Sequence, residues 1–195
     1  FIVEALTAVF GEIIVIERND SAVRKAEGLE AETGVLLGTW SGPFEIKVNG
    51  ICQKIDLLEG QKTGIYLDQL DSYAAVGQLS KDKTVLDCFC NQGGFALHAA
   101  KGGAKSVVAV DISAGAVEAT RDNAVRNELL VEAVEANVFD FLKDAEKAEK
   151  KFDLIVLDPP SFTKNRKGVS GAMRGYKEIH LRALKLLNQE GVLST

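Results

Sequence analysis

Thr84-Val-Leu-Asp-Cys-Phe-Cys-Asn-Gln-Gly-Gly-Phe95 is the stretch that decides the fold. A short apolar run meets Asp87, then turns on Gly93-Gly94 into a helix over Phe95 to Lys101, which Gly102-Gly103 closes. A strand that enters a helix through a glycine turn is half of a βαβ unit. Working outward, the alternation continues. Val107 to Val110 predicts a strand ending at Asp111, and Ser113 can cap a helix running to about Asn127. Val131 to Ala136 predicts a third strand, Phe139 to about Lys150 a charged amphipathic helix, and Phe152 to Leu157 a fourth strand stopped by Asp158-Pro159-Pro160. Tyr176, Ile179, Ala183 and Leu187 recur at helical spacing, and Gly191 precedes a fifth strand. Strands alternating with helices of this length imply an α/β fold with a parallel sheet and right-handed crossovers.

Towards the N-terminus the rhythm is strand-like. Ile13 to Ile16 is an apolar β-branched run, and Phe44, Ile46 and Val48 alternate with polar residues up to Asn49-Gly50. Ile51, Gln53, Ile55 and Leu57 resume the alternation. Asn-Gly between two such runs signals a hairpin, because both turn residues tolerate positive φ. The expected organisation is a small β-rich unit over 1–71 and an α/β domain over 72–195.

The composition is that of a globular protein: of 195 residues, 46% are hydrophobic and 26% charged. No apolar run reaches the ~20 residues that span a bilayer, and Phe1 to Phe10 lacks the basic flank and cleavage site of a signal peptide. Three cysteines (Cys52, Cys88, Cys90) do not make a disulfide framework, so a reducing, cytoplasmic location is the default. The chain opens on Phe1 inside an apolar pattern and stops at Gly191 to Thr195 in what reads as the start of a strand. The expectation is a fragment whose sheet is incomplete at the C-terminus. The net charge is −5, which argues against a nucleic-acid partner. Between Thr163 and Lys185, however, seven basic residues face Glu178 alone.

In an open parallel sheet, ligands bind outside the carboxyl ends of the strands. The unusual residues sit there: Asp87 to Phe95, Asp111-Ile-Ser113, Asn137-Val-Phe-Asp140 and Asp158 to Phe162. A dinucleotide fold would carry G-x-G-x-x-G at the first turn, with helix amides facing a pyrophosphate. That spacing is absent, and Asp87 puts a carboxylate where phosphate would be repelled. Asp111, 18 residues after Gly93, is placed to accept from both hydroxyls of a ribose. A ligand with an ammonium head, a ribose and no phosphate fits, and S-adenosylmethionine is that ligand. The plainer alternative is a helix start at Gly93-Gly94 with Asp111 serving a cap.

Two of the three prolines are adjacent in Asp158-Pro-Pro-Ser-Phe162. Proline fixes φ and removes a donor, so the turn is rigid and presents carbonyls. Asp158, Pro159 and Pro160 could accept from the exocyclic amine of a base while Phe162 stacks on it. A stiff strand terminator is the alternative. The basic stretch that follows could track phosphates into the site, or be a solvated helix face.

These residues resemble the class I S-adenosylmethionine-dependent methyltransferases. More closely, the chain resembles the bacterial family that methylates cytosine carbon 5 in large-subunit ribosomal RNA. The resemblance runs from about Val15 to Thr195. It rests on Val23 to Leu29, Gly60 to Gln69, Val85 to Phe89 with Gly93-Gly-Phe95, Val110 to Ser113 and Asp153 to Phe162. It implies a Rossmann-like methyltransferase sheet and an RNA-methylating enzyme. Asp87, Phe89 and Gly93 would line the methionine side of the cofactor, with Asp111 on the ribose and Ile112 against adenine. Asn137 stands where the family usually has an aspartate that receives the adenine amine. Lys62 and Tyr66 would lie over the cofactor, and Asn91, Ser113 and Val138 would bind it from the same tip segments. Leu70 and Tyr73 stand where the family has arginines.

Carbon-5 methylation needs a thiolate that adds to carbon 6 of the base. The resemblance puts that cysteine just beyond Thr195, leaving Cys88 and Cys90 structural and no metal site. It also implies a PUA-type RNA-binding module before this region. Ribosomal RNA is the expected partner, through Lys164, Arg166, Lys167, Arg174 and that module, with no membrane contact; a homo-oligomer stays open. Methylation of a guanine or adenine nitrogen, which needs no cysteine, and an RNA-binding module without turnover are the alternatives. The missing glycine fingerprint disfavours a nicotinamide dehydrogenase.

Overall fold

A computed structural model of the chain describes residues 1–19, 22–58 and 65–195. The chain divides into two compact units, one of Phe1–Ile46 with Lys54–Leu67 and one of Lys47–Gln53 with Asp68–Thr195.

The first unit holds α1 (Ile2–Phe10), β1 (Val15–Asn19), α2 (Ala22–Ala26) and β2 (Glu32–Leu37), with β1 and β2 antiparallel. The sequence predicts only strands here. Ile2–Phe10 is helical because Glu4, Ala5 and Leu6 are good helix formers, and it ends where Gly11 takes a φ of 75°. β3 (Phe44–Val48) and β4 (Ile51–Ile55) form the hairpin expected at Asn49-Gly50, whose φ values of 48° and 79° are those of a primed turn. The tip of this hairpin, Lys47–Gln53, belongs to the second unit. There Ile51 is fully buried in a cluster with Leu97 and Ala124. Asn127 grips the strand from both sides, accepting from the Cys52 N–H (2.7 Å) and donating to the Cys52 carbonyl (2.7 Å).

The second unit continues with α3 (Leu70–Leu79), β5 (Thr84–Cys88), α4 (Gly94–Lys101), β6 (Ser106–Asp111), α5 (Ala114–Arg126), β7 (Glu132–Glu135), α6 (Val138–Lys147), β8 (Phe152–Leu157), α7 (Val169–Leu186) and β9 (Leu187–Ser194). Strands β5 to β9 form one five-stranded sheet in the order β7-β6-β5-β8-β9. All four of its pairings are parallel. Leu187, expected to close the last helix, instead opens β9, with a register irregularity between Phe152 and Leu154 on the neighbouring strand.

Side chains alternate across the sheet, and two cores result. Leu86, Cys88, Val110, Ile155 and Leu157 pack with Leu142 of α6 and Ile179, Ala183 and Leu186 of α7. Val85, Val107, Ala109, Leu154 and Val156 face the other way, onto Tyr73 and Val76 of α3 and Phe95, Ala96 and Ala99 of α4. With both faces covered, the strands read as continuous apolar runs. α3 and α4 meet closely at their glycines: a Cβ on Gly102 would stand 2.0 Å from the Gly77 carbonyl oxygen. The order β7-β6-β5-β8-β9 reverses direction between β5 and β8, and the ends of those two strands and of β6 form the crevice where an open α/β sheet binds its ligand.

Candidate active site

The loop from β5 to α4 has an unusual backbone. Phe89, Asn91 and Gly93 have φ values of 62°, 48° and 82°. The left-handed region costs a residue with a Cβ roughly 1–2 kcal/mol, and such conformations persist where the surroundings fix them. Here they are fixed. The Asn91 N–H donates to Asp111 Oδ2 (2.9 Å), and the Thr120 hydroxyl donates to the Asn91 carbonyl (2.9 Å). A side chain at Gly93 would meet Thr120 Cγ2 at 2.7 Å, so only glycine both adopts this φ and admits α5 at this distance.

Asp111 is half-buried at the end of β6, and its second oxygen accepts from the Ser113 N–H (2.9 Å). Ser113 caps α5 through the Ala116 N–H (3.3 Å). Ile112, between them, is 68% exposed, an apolar side chain held out just past the end of β6. Asn137 is exposed at the end of β7 and caps α6, its Oδ1 accepting from the Phe139 N–H (2.9 Å), while Val138 is buried behind it.

Asp87 is 1% exposed. Its Oδ2 accepts from the Ala96 N–H in the first turn of α4 (3.0 Å), and its Oδ1 has no hydrogen-bond partner among the described residues. Burial lifts its carboxyl from 3.8 to about 8; the Ala96 amide opposes this, and the charges of Asp158 and Asp111 add to it. The sequence placed Asp87 beside the turn; the fold directs the side chain into the helix start.

The Asp158 to Phe162 turn follows β8. Asp158 is exposed and accepts from Gln69 Nε2 (3.4 Å). Pro159 is half-buried, Pro160 and Ser161 are exposed, and the half-buried Phe162 ring stacks on Tyr176 of α7 at 4.4 Å between centroids. Phe139 and Phe89 lie 5.6 Å and 6.3 Å from the same ring. The ring expected to stack on a base thus already has three aromatic neighbours. Tyr176, which the sequence places only in a helical stripe, joins them; a half-buried tyrosine hydroxyl usually finds a partner, and that is the signal in the sequence.

Cys88 and Cys90 are buried, and burial pushes both thiols up, with the Asp87 charge adding. Neither is a thiolate at neutral pH, so neither is a nucleophile there. No group of three or more His, Cys, Asp or Glu stands close enough to hold a metal ion among the described residues. His98 is buried, stacked on Tyr73 at 5.3 Å, with its ring nitrogen on the Gly94 carbonyl. Tyr73 and Leu70, where arginines were expected, pack into the α3–α4 core. Tyr66 is half-buried in the first unit, and Lys62 lies outside the described residues.

Residues 4–195 match the S-adenosylmethionine-dependent methyltransferase family. The chain belongs to that family. It is 44% identical over 200 residues to a protein named ribosomal RNA large subunit methyltransferase I from Tolumonas auensis, a match that takes in 100% of this chain and 50% of the relative. The chain spans about half the length of the curated relatives it matches. Among solved structures it is similar to a SAM-dependent methyltransferase from Streptococcus mutans (28% identity, TM-score 0.72, 83% of this chain and 43% of that one). A second solved methyltransferase, complexed with SAH, matches at 30% identity and a TM-score of 0.71, over 83% of this chain and 43% of that one.

The cofactor of such methyltransferases is S-adenosylmethionine, and the tip residues fit it. Three carboxylates, Asp87, Asp111 and Asp158, lie near enough for Asp111 and Asp158 to oppose ionisation of Asp87. The charges of Asp111 and Asp158, with Asp87 held protonated by burial, repel phosphate and favour a ligand that carries positive charge on sulfur and nitrogen. The Asn91 N–H, which a pyrophosphate would claim, is held by Asp111. Asp111 retains lone pairs for ribose hydroxyls, and Ile112 offers an apolar surface to a flat base. The Asp87 Oδ1 is the buried polar atom at these tips that has no partner among the described residues.

Proposed function

We propose that the protein methylates large-subunit ribosomal RNA at cytosine carbon 5, with S-adenosylmethionine held at the tips of β5, β6 and β7. The relative's printed name supports ribosomal RNA, and the earlier motif resemblance supports cytosine carbon 5. The observation that carries the reading is the acidic, phosphate-excluding tip cluster beside the rigid Asp158-Pro159-Pro160 turn. When bound, the cofactor supplies an electrophilic methyl group on sulfur. The chain's own residues orient. Asp111 fixes both the loop around the cofactor and the ribose, Phe89 and Gly93 shape the methionine end, and Asp158 with the Pro159 and Pro160 carbonyls receives the exocyclic amine of the base. Holding methyl donor and base in line at reacting distance is where such an enzyme gains most of its rate.

Lys164, Arg166, Lys167, Arg174 and Lys177 are exposed beside the turn and give the RNA backbone its contacts. Arg182 and Lys185 do not join them: both pair with Glu146 (2.8 Å and 2.6 Å), and Arg182 also with Glu178 (3.0 Å). Carbon-5 chemistry needs a thiolate, and the motif resemblance, not any of the described residues, is what implies one after Thr195.

The burial of Cys88 and Cys90 favours a second reading, methylation of a base nitrogen, which needs no thiolate. Mass spectrometry of ribosomal RNA treated with the full-length protein and labelled cofactor separates the two. Label in 5-methylcytosine is the expected result; label on a purine nitrogen overturns the carbon-5 assignment.

A further inference from the structure

The turn that receives the base is short and built to be stiff, yet two of its residues, Pro159 and Pro160, have no N–H with which to anchor it. Its backbone must be held from elsewhere. Tyr176, at the middle of α7, does so with one hydroxyl. The hydroxyl donates to the Pro160 carbonyl (3.3 Å) and accepts from the Phe162 N–H (3.4 Å), the two polar backbone groups on either side of Ser161. The Tyr176 ring lies under the Phe162 ring, with planes 25° apart. Gly175 leaves the space for this: a Cβ there would stand 3.1 Å from Phe162 Cδ2. An apolar ring would fill the same volume, but only a phenol reaches both backbone groups.

We propose that Tyr176 is a positioning residue that latches the Asp158–Phe162 turn in the shape that receives the target base. The inference rests on the reading of that turn as the base site. It also gives the helix a purpose beyond covering the sheet. Arg174 and Lys177, exposed on either side of Tyr176, would meet the RNA backbone on the same turn of helix that fixes the base. Phe162 extends the contact towards Phe89 and the cofactor loop. α7 therefore ties RNA docking, base placement and the methyl donor's loop to one rigid element.

The test uses Tyr176→Phe in the full-length protein, which keeps the ring and removes the hydroxyl, and Tyr176→Leu, which removes both. Three quantities are read: kcat on ribosomal RNA at saturating cofactor, the calorimetric Kd for S-adenosylmethionine, and amide hydrogen exchange at Ser161 and Phe162. Tyr176→Phe is expected to lower kcat about tenfold while leaving the cofactor Kd within about twofold, and to speed exchange at Phe162 by about tenfold. Tyr176→Leu is expected to lose more of kcat, again with little change in Kd. A Tyr176→Phe enzyme with wild-type kcat overturns the proposal, as does a loss that appears equally in the cofactor Kd. Should the wild-type protein transfer no methyl to RNA, the functional reading fails by itself. The exchange measurement still decides the latch: unchanged protection at Phe162 overturns it, and faster exchange upholds it.

Discussion

Asp111 accepts from the Asn91 and Ser113 N–H groups with its two oxygens, so it shapes the loop between β5 and α4 and the start of α5. Removing it loosens the loop and deletes the acceptor proposed for the ribose. Charge-assisted hydrogen bonds of this kind contribute ~1.5–3 kcal/mol. Asp111→Ala is therefore expected to weaken S-adenosylmethionine binding tenfold or more by calorimetry, and an unchanged affinity removes the ribose role. Asp87 makes a different prediction. In the unfolded chain it loses its proton near 3.8, whereas in the folded chain burial holds the proton to about pH 8. Its contribution to stability is thus full below about pH 4, falls as pH rises towards 8 and is flat beyond. Asp87→Asn cannot titrate, so its melting temperature should fall less than the wild type's across that window. Parallel curves for the two proteins would mean that Asp87 ionises freely in the folded state. Asp111 at a strand end was legible from the sequence because its spacing from Gly93 follows from one βαβ unit. The direction of Asp87 was not, because which way a strand-end side chain points depends on the helix packed above it.

At the scale of elements, α3 and α4 cross where Gly77 and Gly102 leave no room for a side chain. A methyl at Gly102 would overlap the Gly77 carbonyl, and overpacking of this kind costs ~1–3 kcal/mol. Gly102→Ala should lower the urea midpoint with an unchanged slope, and a wild-type midpoint would show that the helices separate without cost. The sequence showed glycines after α4 but not the partner they admit. Within the α/β region the alternation of apolar runs and caps located β5 to β8 and α4 to α6 to within a few residues, since each boundary carries its own local cause: Ser113 and Asn137 at helix starts, Pro159 at a strand end. α1 and α3 were missed because short segments carry little period, and the Tyr176 latch because its partners lie 14 and 16 residues back along the chain.

Over the whole molecule, a net charge of −5 would discourage RNA binding if it were spread evenly. The basic residues after β8 differ in their pairing, although Arg174 and Lys177 line one groove with Arg182 and Lys185. Arg182 and Lys185 are neutralised against α6, while Lys164, Arg166, Lys167, Arg174 and Lys177 remain exposed. Each phosphate contact adds ~0.7–0.9 to the dependence of log K on log salt. Replacing Lys164, Arg166 and Lys167 together by glutamine should therefore reduce that slope by about two to three in the full-length protein. A slope equal to wild type would place the RNA path elsewhere.

What the sequence determined by itself was the parallel α/β architecture, the strand ends at which we propose that a ligand meets the sheet, and a cofactor with ribose and positive charge but no phosphate. Those properties follow from local period, caps and the absence of a phosphate-binding spacing, all of which are written along the chain. Only the tertiary structure decided which carboxylate is buried, which cations are already paired, and which ring holds the Asp158–Phe162 turn. Burial, pairing and stacking join residues from separate elements, and which of them come together is set by the packing of helices on the two faces of the sheet.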